Sequence, residues 1–429
     1  MADVAVRPIM KSPEVPDPFA WPLAQKLAFR FFFCYWLKYA LPESGRVSFL
    51  RIFGGVFPKA TGFLIDHYEK VWHTLVPWVA TRLFHVTGQP ATYFRTGSGD
   101  TTLQYVNQLL YVLVAIAAVA VWTAFDRKRP NYRRLSAWLR LVVRYTLALT
   151  LFSYGFAKVF PLQFQPPRFA KLMEPYGEFT PMGVLWSFMG ASLPYTIYSG
   201  AAEVLGGLLL LFRRTTTLGA IVSAAVMCNV MALNYMYDVP VKLYSTNLFC
   251  MAVFLLAPEA RRLTDVLILN RAAAPSDVAQ VDFTRRWARI AARSLWVLFV
   301  GFVLYRQVHG GWQGYVQTYR NVEHPPLGGL YDVESGTPWR KVAVDFAQSM
   351  TVRTTEDVVQ SIPTAYDGNS ITFNKRDKLT ITRPDADHVV LQGALNGALA
   401  TIRLKKIDTS KMALFSRGFH WINESPLNR

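Results

Sequence analysis

Apolar and polar positions along this chain follow two regimes. Up to about residue 305, largely apolar runs of about 18–23 residues recur, each long enough to cross a hydrocarbon core of ~30 Å. From Trp339 onward the apolar residues instead alternate with polar ones in short runs: KVAVDFA, SITFNK, KLTITR, HVVLQGAL and ATIRLKK. Turn chemistry separates the later runs (YDGNS, KRD, RPDAD, NG). The first regime predicts membrane helices and the second an antiparallel β module, a small sandwich or partial barrel.

Seven spans are expected, at about residues 22–41, 104–125, 138–160, 195–212, 216–239, 242–258 and 294–305. The stretch 42–102 is too polar to span. Within it, FLIDHYEKVWHTLVPWVATRLF spaces apolar and aromatic residues for a helix lying along the membrane surface. Residues 161–194 read as a Pro-, Phe- and Met-rich loop, and the RGFHW of the C-terminal tail as an aromatic plug for the β module. The organisation is then an N-terminal segment (1–20), two helices with a long loop (21–137), a four-helix membrane core (138–260), a basic segment with the seventh span (261–309), and the β domain (310–429). The N-terminal segment has no apolar core of signal-peptide type.

Charge changes the picture twice. Lys and Arg number 46 against 28 Asp and Glu, a formal net charge of +18, which in a soluble chain would suggest nucleic acid. Here the excess lies in loops at 126–140, 212–214 and 260–293, which seven spans place on one side of the membrane. Positive loops stay in the cytoplasm. The N-terminus is therefore expected to be cytoplasmic, the β domain extracytoplasmic, and no nucleic acid is implied.

The second change is charge inside the spans. A charged side chain at mid-bilayer costs roughly 2.5–3.5 kcal/mol on insertion scales, so such groups are expected to face one another. Arg144 and Lys158 share a face of the third span. Glu203 sits among Gly200, Gly206 and Gly207 on the fourth. Asn229, Asn234 and Asp238 lie in the last turns of the fifth, and Lys242 opens the sixth after Pro240. Glu203 is expected to pair with Lys158 or Arg144. Arg140 is expected to snorkel to headgroups, and Arg30 sits deep enough to need a partner. The set Arg144, Lys158, Glu203, Asn229, Asn234, Asp238 and Lys242 supports two readings: a ligand-binding polar pocket in the outer half of the bilayer, or a packed network joining helices. No catalytic residue is assigned.

Other chemistry is excluded more simply. Cys34, Cys228 and Cys250 lie in apolar helices without CxxC spacing, and the seven histidines fall outside the confident spans without His-x-x-x-His spacing. Disulfides, zinc and bis-histidine haem are therefore not expected, so no metal site is assigned. No phosphate-loop, dinucleotide, nucleophile-elbow or zinc-protease motif occurs.

The pattern Arg144-x10-Gly155-x2-Lys158, then Gly200-x2-Glu203-x2-Gly206 and the basic turn RRTTTLG, resembles the DoxX-like membrane proteins. The resemblance covers about residues 138–260. It implies a compact four-helix membrane bundle in a bacterial inner membrane, with Arg144, Lys158 and Glu203 as its polar positions. The family takes its name from a subunit of a thiosulfate:quinone oxidoreductase, and other members are linked to redox complexes or membrane-protein assembly. This chain departs by adding helices before the core, one behind it, and the β domain, and it has no evident redox cysteine. Two functions follow. One is the quinone- or lipid-facing membrane subunit of a redox system, with quinone as an exchangeable ligand and no resident cofactor. The other is a non-catalytic assembly or scaffold subunit whose β domain docks an exported partner. Membrane lipids and other membrane or periplasmic subunits are the expected partners.

Overall fold

The computed structural model describes residues 19–40, 58–93, 96–321 and 324–424. Nearly all of the N-terminal segment 1–20, and all of residues 41–57, lie outside the described residues. Among the described residues, eleven α-helices precede the β domain: α1 (Leu23–Ala40), α2 (Pro58–Leu83), α3 (Thr102–Phe125), α4 (Arg133–Val159), α5 (Phe169–Leu172), α6 (Pro181–Ala191), α7 (Leu193–Leu211), α8 (Thr216–Met236), α9 (Lys242–Leu256), α10 (Ala260–Leu267) and α11 (Arg286–Tyr315). The chain divides into two compact units, residues 1–155 with 201–307 and residues 156–200 with 308–429.

Among the described residues, five helical stretches are long and apolar enough to cross a membrane: Thr102–Phe125, Arg133–Val159, Arg213–Met236, Lys242–Leu267 and Arg286–Arg320. The last corrects the short seventh span, because the arginines flanking residues 294–305 lie along the helix and do not end it. The expected first span forms as α1 but carries Lys26, Arg30 and Lys38, and its Phe29, Trp36 and Tyr39 are buried. Against α3, α1 sets aromatics edge to face: Phe29 and Phe33 on Trp122, and Tyr35 and Tyr39 on Tyr111. The predicted surface helix is α2, whose Val76, Val79 and Ala80 close on Leu103 and Val106 of α3.

Helix α3 starts where the Thr101 hydroxyl accepts from the Gln104 N–H, a side-chain N-cap. Helices α7 and α8 approach closely at Gly219, where a Cβ would fall 2.7 Å from the Leu210 backbone nitrogen. Helix α8 ends before Asp238, which takes a left-handed φ of 50°, a conformation Asp tolerates better than most residues.

The β domain, in the second unit, is a closed eight-stranded antiparallel barrel, neither sandwich nor partial barrel. Its strands are β1 (Gly329–Ser335), β2 (Trp339–Phe346), β3 (Ser349–Thr354), β4 (Val359–Asp367), β5 (Ser370–Phe373), β6 (Asp377–Thr382), β7 (His388–Leu395) and β8 (Ala398–Lys406). Each pairs with the next, and β8 closes on β1 with Val333 opposite Leu404. Strands β7 and β8 meet through Asn396-Gly397, both at positive φ as a tight twisted hairpin turn demands. Alternate residues point inward and fill the interior: Val342 and Val344, Met350 and Val352, Ile371 and Phe373, Leu391, Ile402 and Leu404. The tail does not plug this interior, which is already packed. Trp421 is 91% exposed, and Phe419 and Ile422 are exposed beside it.

Candidate functional site

A concavity of the second unit lies where residues 162–187 meet strands β2 to β4, a groove of about 920 Å³. Two charged contacts fix its walls. The Asp345 carboxylate accepts from the Phe169 and Ala170 N–H groups at 2.8 and 3.0 Å, so β2 caps the first turn of α5 from a distant part of the chain. Arg353 of β3 is 2% exposed and donates to the Glu178 carboxylate at 2.7 Å, to Asp357 at 2.9 Å and to the Met173 carbonyl at 3.4 Å. Its bonds to Glu178 and Asp357 raise the Arg353 pKa, and Arg353 in turn holds the Asp357 carboxyl below the usual carboxylate range. Around these anchors Arg168 stacks over Phe346, with 4.2 Å to the ring centroid, and Lys171 pairs with Glu174 at 2.6 Å. The supposed loop 161–194 is therefore ordered. Thr180 caps α6 with its hydroxyl on the Gly183 N–H, and Gly190 lies where a Cβ would fall 2.1 Å from the Gln165 carbonyl oxygen.

The predicted pocket residues fall in both compact units. Lys158, in the second unit, is buried with its ammonium 5.9 Å from the Phe164 ring centroid. Glu203, in the first unit, is 3% exposed. Asn234 is buried near the end of α8, whereas Asn229 lies on the exposed side of that helix and lines no polar interior. Asp238 and Lys242 do come together, Nζ to Oδ1 at 2.7 Å, but the Asp238 side chain is 83% exposed.

Arg144 lies away from Asp238 and Lys242. Its guanidinium donates to the Thr216 hydroxyl at 3.1 Å, at the start of α8. Asp238 follows the other end of that 21-residue helix, about 30 Å away along its axis. A single pocket holding Arg144 with Asp238 and Lys242 is thereby ruled out, since they sit at opposite ends of α8.

Of the organising residues, Asp100 and Tyr35 carried no readable signal. The Asp100 carboxylate accepts from the Lys242 and Leu243 N–H groups at 2.7 and 3.0 Å, capping α9 from across the unit. Between α1, α3 and α9, Tyr35 donates to Asn247 Oδ1 at 2.5 Å and accepts from Gln108. Arg30 finds the partners its depth requires: the Tyr132 hydroxyl and Asp126 carbonyl, both at 2.7 Å, and the Thr123 hydroxyl at 2.6 Å. No group of three or more His, Cys, Asp or Glu side chains that could hold a metal ion occurs among the described residues.

Apolar helices of spanning length followed by a closed, solid-cored barrel are the build of a polytopic membrane protein with an attached β domain. The chain belongs to the family of YwoB, an uncharacterized protein of Bacillus subtilis (strain 168), with which it shares 33% identity over 128 residues. That match covers 28% of this chain and 75% of YwoB. No protein-family model matches the chain. No solved structure matches it either.

Proposed function

We propose that the protein is a non-catalytic docking subunit of a bacterial inner membrane. In this reading the N-terminus is cytoplasmic, seven helices hold the chain in the bilayer, and the barrel lies on the extracytoplasmic side. Its groove receives an extended segment of an exported or membrane partner. One observation carries the reading: the groove of about 920 Å³ between residues 162–187 and strands β2 to β4. The barrel interior is filled with side chains, so a partner meets its outer wall. Trp186, Met182 and Phe346 offer apolar surface beside Arg168 and Glu174, the mixture an extended peptide uses for anchoring and register.

The test is purification of the full chain from its own membrane with and without Ser349→Trp, which fills the groove floor from β3. A co-purifying protein lost from the variant supports docking. An unchanged set of co-purifying proteins, or none with the wild type, contradicts it.

A second reading, the quinone- or lipid-facing subunit of a redox system with a DoxX-like core, is favoured by Glu203. That carboxylate is buried on a helix whose glycines lie against neighbours: a Cβ on Gly206 would fall 2.9 Å from Ser223 Oγ, and one on Gly207 2.8 Å from the Phe152 ring. Quinone extracted in stoichiometric amount from wild type, and lost from Glu203→Gln, would favour this reading over docking.

A further inference from the structure

The first unit holds a second concavity, of about 600 Å³, at the end of the bundle opposite Asp238 and Lys242. Helix α4, the start of α8 and the end of α9 wall it, and residues 275–281 fold across it as a strap. The strap is tied at three points. Arg133 donates to the Asp277 carbonyl at 2.8 Å, Arg213 donates to the Val281 carbonyl, and the Ser276 hydroxyl donates to Glu259.

The charge of this cavity is one-sided. Five arginines line it, Arg140, Arg144, Arg213, Arg214 and Arg262, against Glu259 as the one carboxylate among its described lining residues. Both oxygens of Glu259 are engaged, one by Ser276 and the other by Arg262 at 2.8 Å. Two donors inside stay unmatched. Arg144, 8% exposed, leaves Nε without a hydrogen-bond partner among the described residues, and Arg140 leaves a buried Nη1 in the same condition. A buried guanidinium donor without an acceptor is costly, and planar guanidinium groups match the oxygens of phosphate closely.

We infer that this cavity binds a phosphate group, held by Arg144 and Arg140 from the bundle side and by Arg214 from the rim. The wall continues into Leu218, an exposed leucine of α8, so a phosphate carrying an acyl chain fits as well as a free one. Basic pockets between helices of a membrane protein hold anionic headgroups by this chemistry. The strap makes the site a built enclosure, and its Ser276 and Gln280 lie beside the arginines.

The experiment follows the melting temperature of the full-length protein in neutral detergent. Phosphatidylglycerol is titrated in mixed micelles against phosphatidylcholine, and separately sodium phosphate against sodium chloride at equal ionic strength. Phosphatidylglycerol is expected to raise the melting temperature saturably. Arg144→Gln and Arg214→Gln should each raise the half-saturating concentration about tenfold, the loss of one charge-assisted contact. Arg261→Gln, outside the cavity lining, should leave it unchanged. A phosphate response with the same variant dependence identifies a free phosphate as the source; a lipid response alone identifies the headgroup. Arg214 is exposed, so its variant carries the reading if Arg144→Gln does not fold. No response to either titrant, or equal responses from wild type and the folded variants, overturns the assignment.

Discussion

Two aspartates and one arginine illustrate how far single residues speak for themselves. Asp238 belongs by sequence to the candidate polar set, in the short turn YDVPVK that holds Pro240. In the fold it is an exposed ion-pair partner, while Asp100, with no helical pattern around it, caps α9. Losing a side-chain N-cap costs roughly 0.5–2 kcal/mol, and an exposed pair about 0–1 kcal/mol. Asp100→Ala is therefore expected to lower the melting temperature of the detergent-solubilised protein clearly, and Asp238→Asn hardly at all. The reverse order would show that the turn depends on Asp238 and that the cap is dispensable. Arg353 was illegible for another reason: a charged residue on the outer wall of β3 reads as solvent-facing until residues 173–178 are known to cover it. Because Asp357 has its pKa lowered in the folded state, its contribution is present above the unfolded value near pH 4 and fades as pH falls through the lower folded value. Arg353→Met should accordingly destabilise at pH 7 and flatten the acid limb of a pH–stability curve measured between about pH 2 and 6. An unchanged acid limb would separate Arg353 from that titration.

Elements were legible where one period dominated and obscure where packing overrode it. Helix α3 and strands β5 to β8 lie close to where hydrophobic periodicity put them. Strands β1, β3 and β4 were missed, because Arg353 and Pro363 interrupt the alternation and β4 is largely exposed. Helix α11 was read short because charges stand inside its ends, and α6 was hidden in a Pro-rich run. Glycines of α7 and α8 sit at close contacts. At Gly219 a Cβ meets fixed backbone, whereas at Gly206 it meets a serine hydroxyl that can rotate. Overpacking of a close contact costs typically 1–3 kcal/mol. Gly219→Ala should thus reduce folded yield and melting temperature more than Gly206→Ala, measured side by side by fluorescence-detected size exclusion. Equal losses would contradict the close approach of α7 to α8.

At the scale of the whole molecule, the sequence separated a helical region from a β domain without the three-dimensional fold. It grouped Arg144 with Asp238 and Lys242, because residues fourteen apart on a helix share a face yet lie four turns apart along its axis. The docking groove and the arginine cavity were both invisible, since each is built from segments far apart in the chain. The docking account requires the barrel outside and the arginine-rich loops inside. That is tested most directly in intact spheroplasts, with a membrane-impermeant thiol reagent on Ser361→Cys and Ser276→Cys in a background lacking Cys34, Cys228 and Cys250. The account predicts that the thiol at 361 is modified and the thiol at 276 is spared until the membrane is permeabilised. Modification at 276 with protection at 361 would contradict it, placing the barrel and its groove in the cytoplasm.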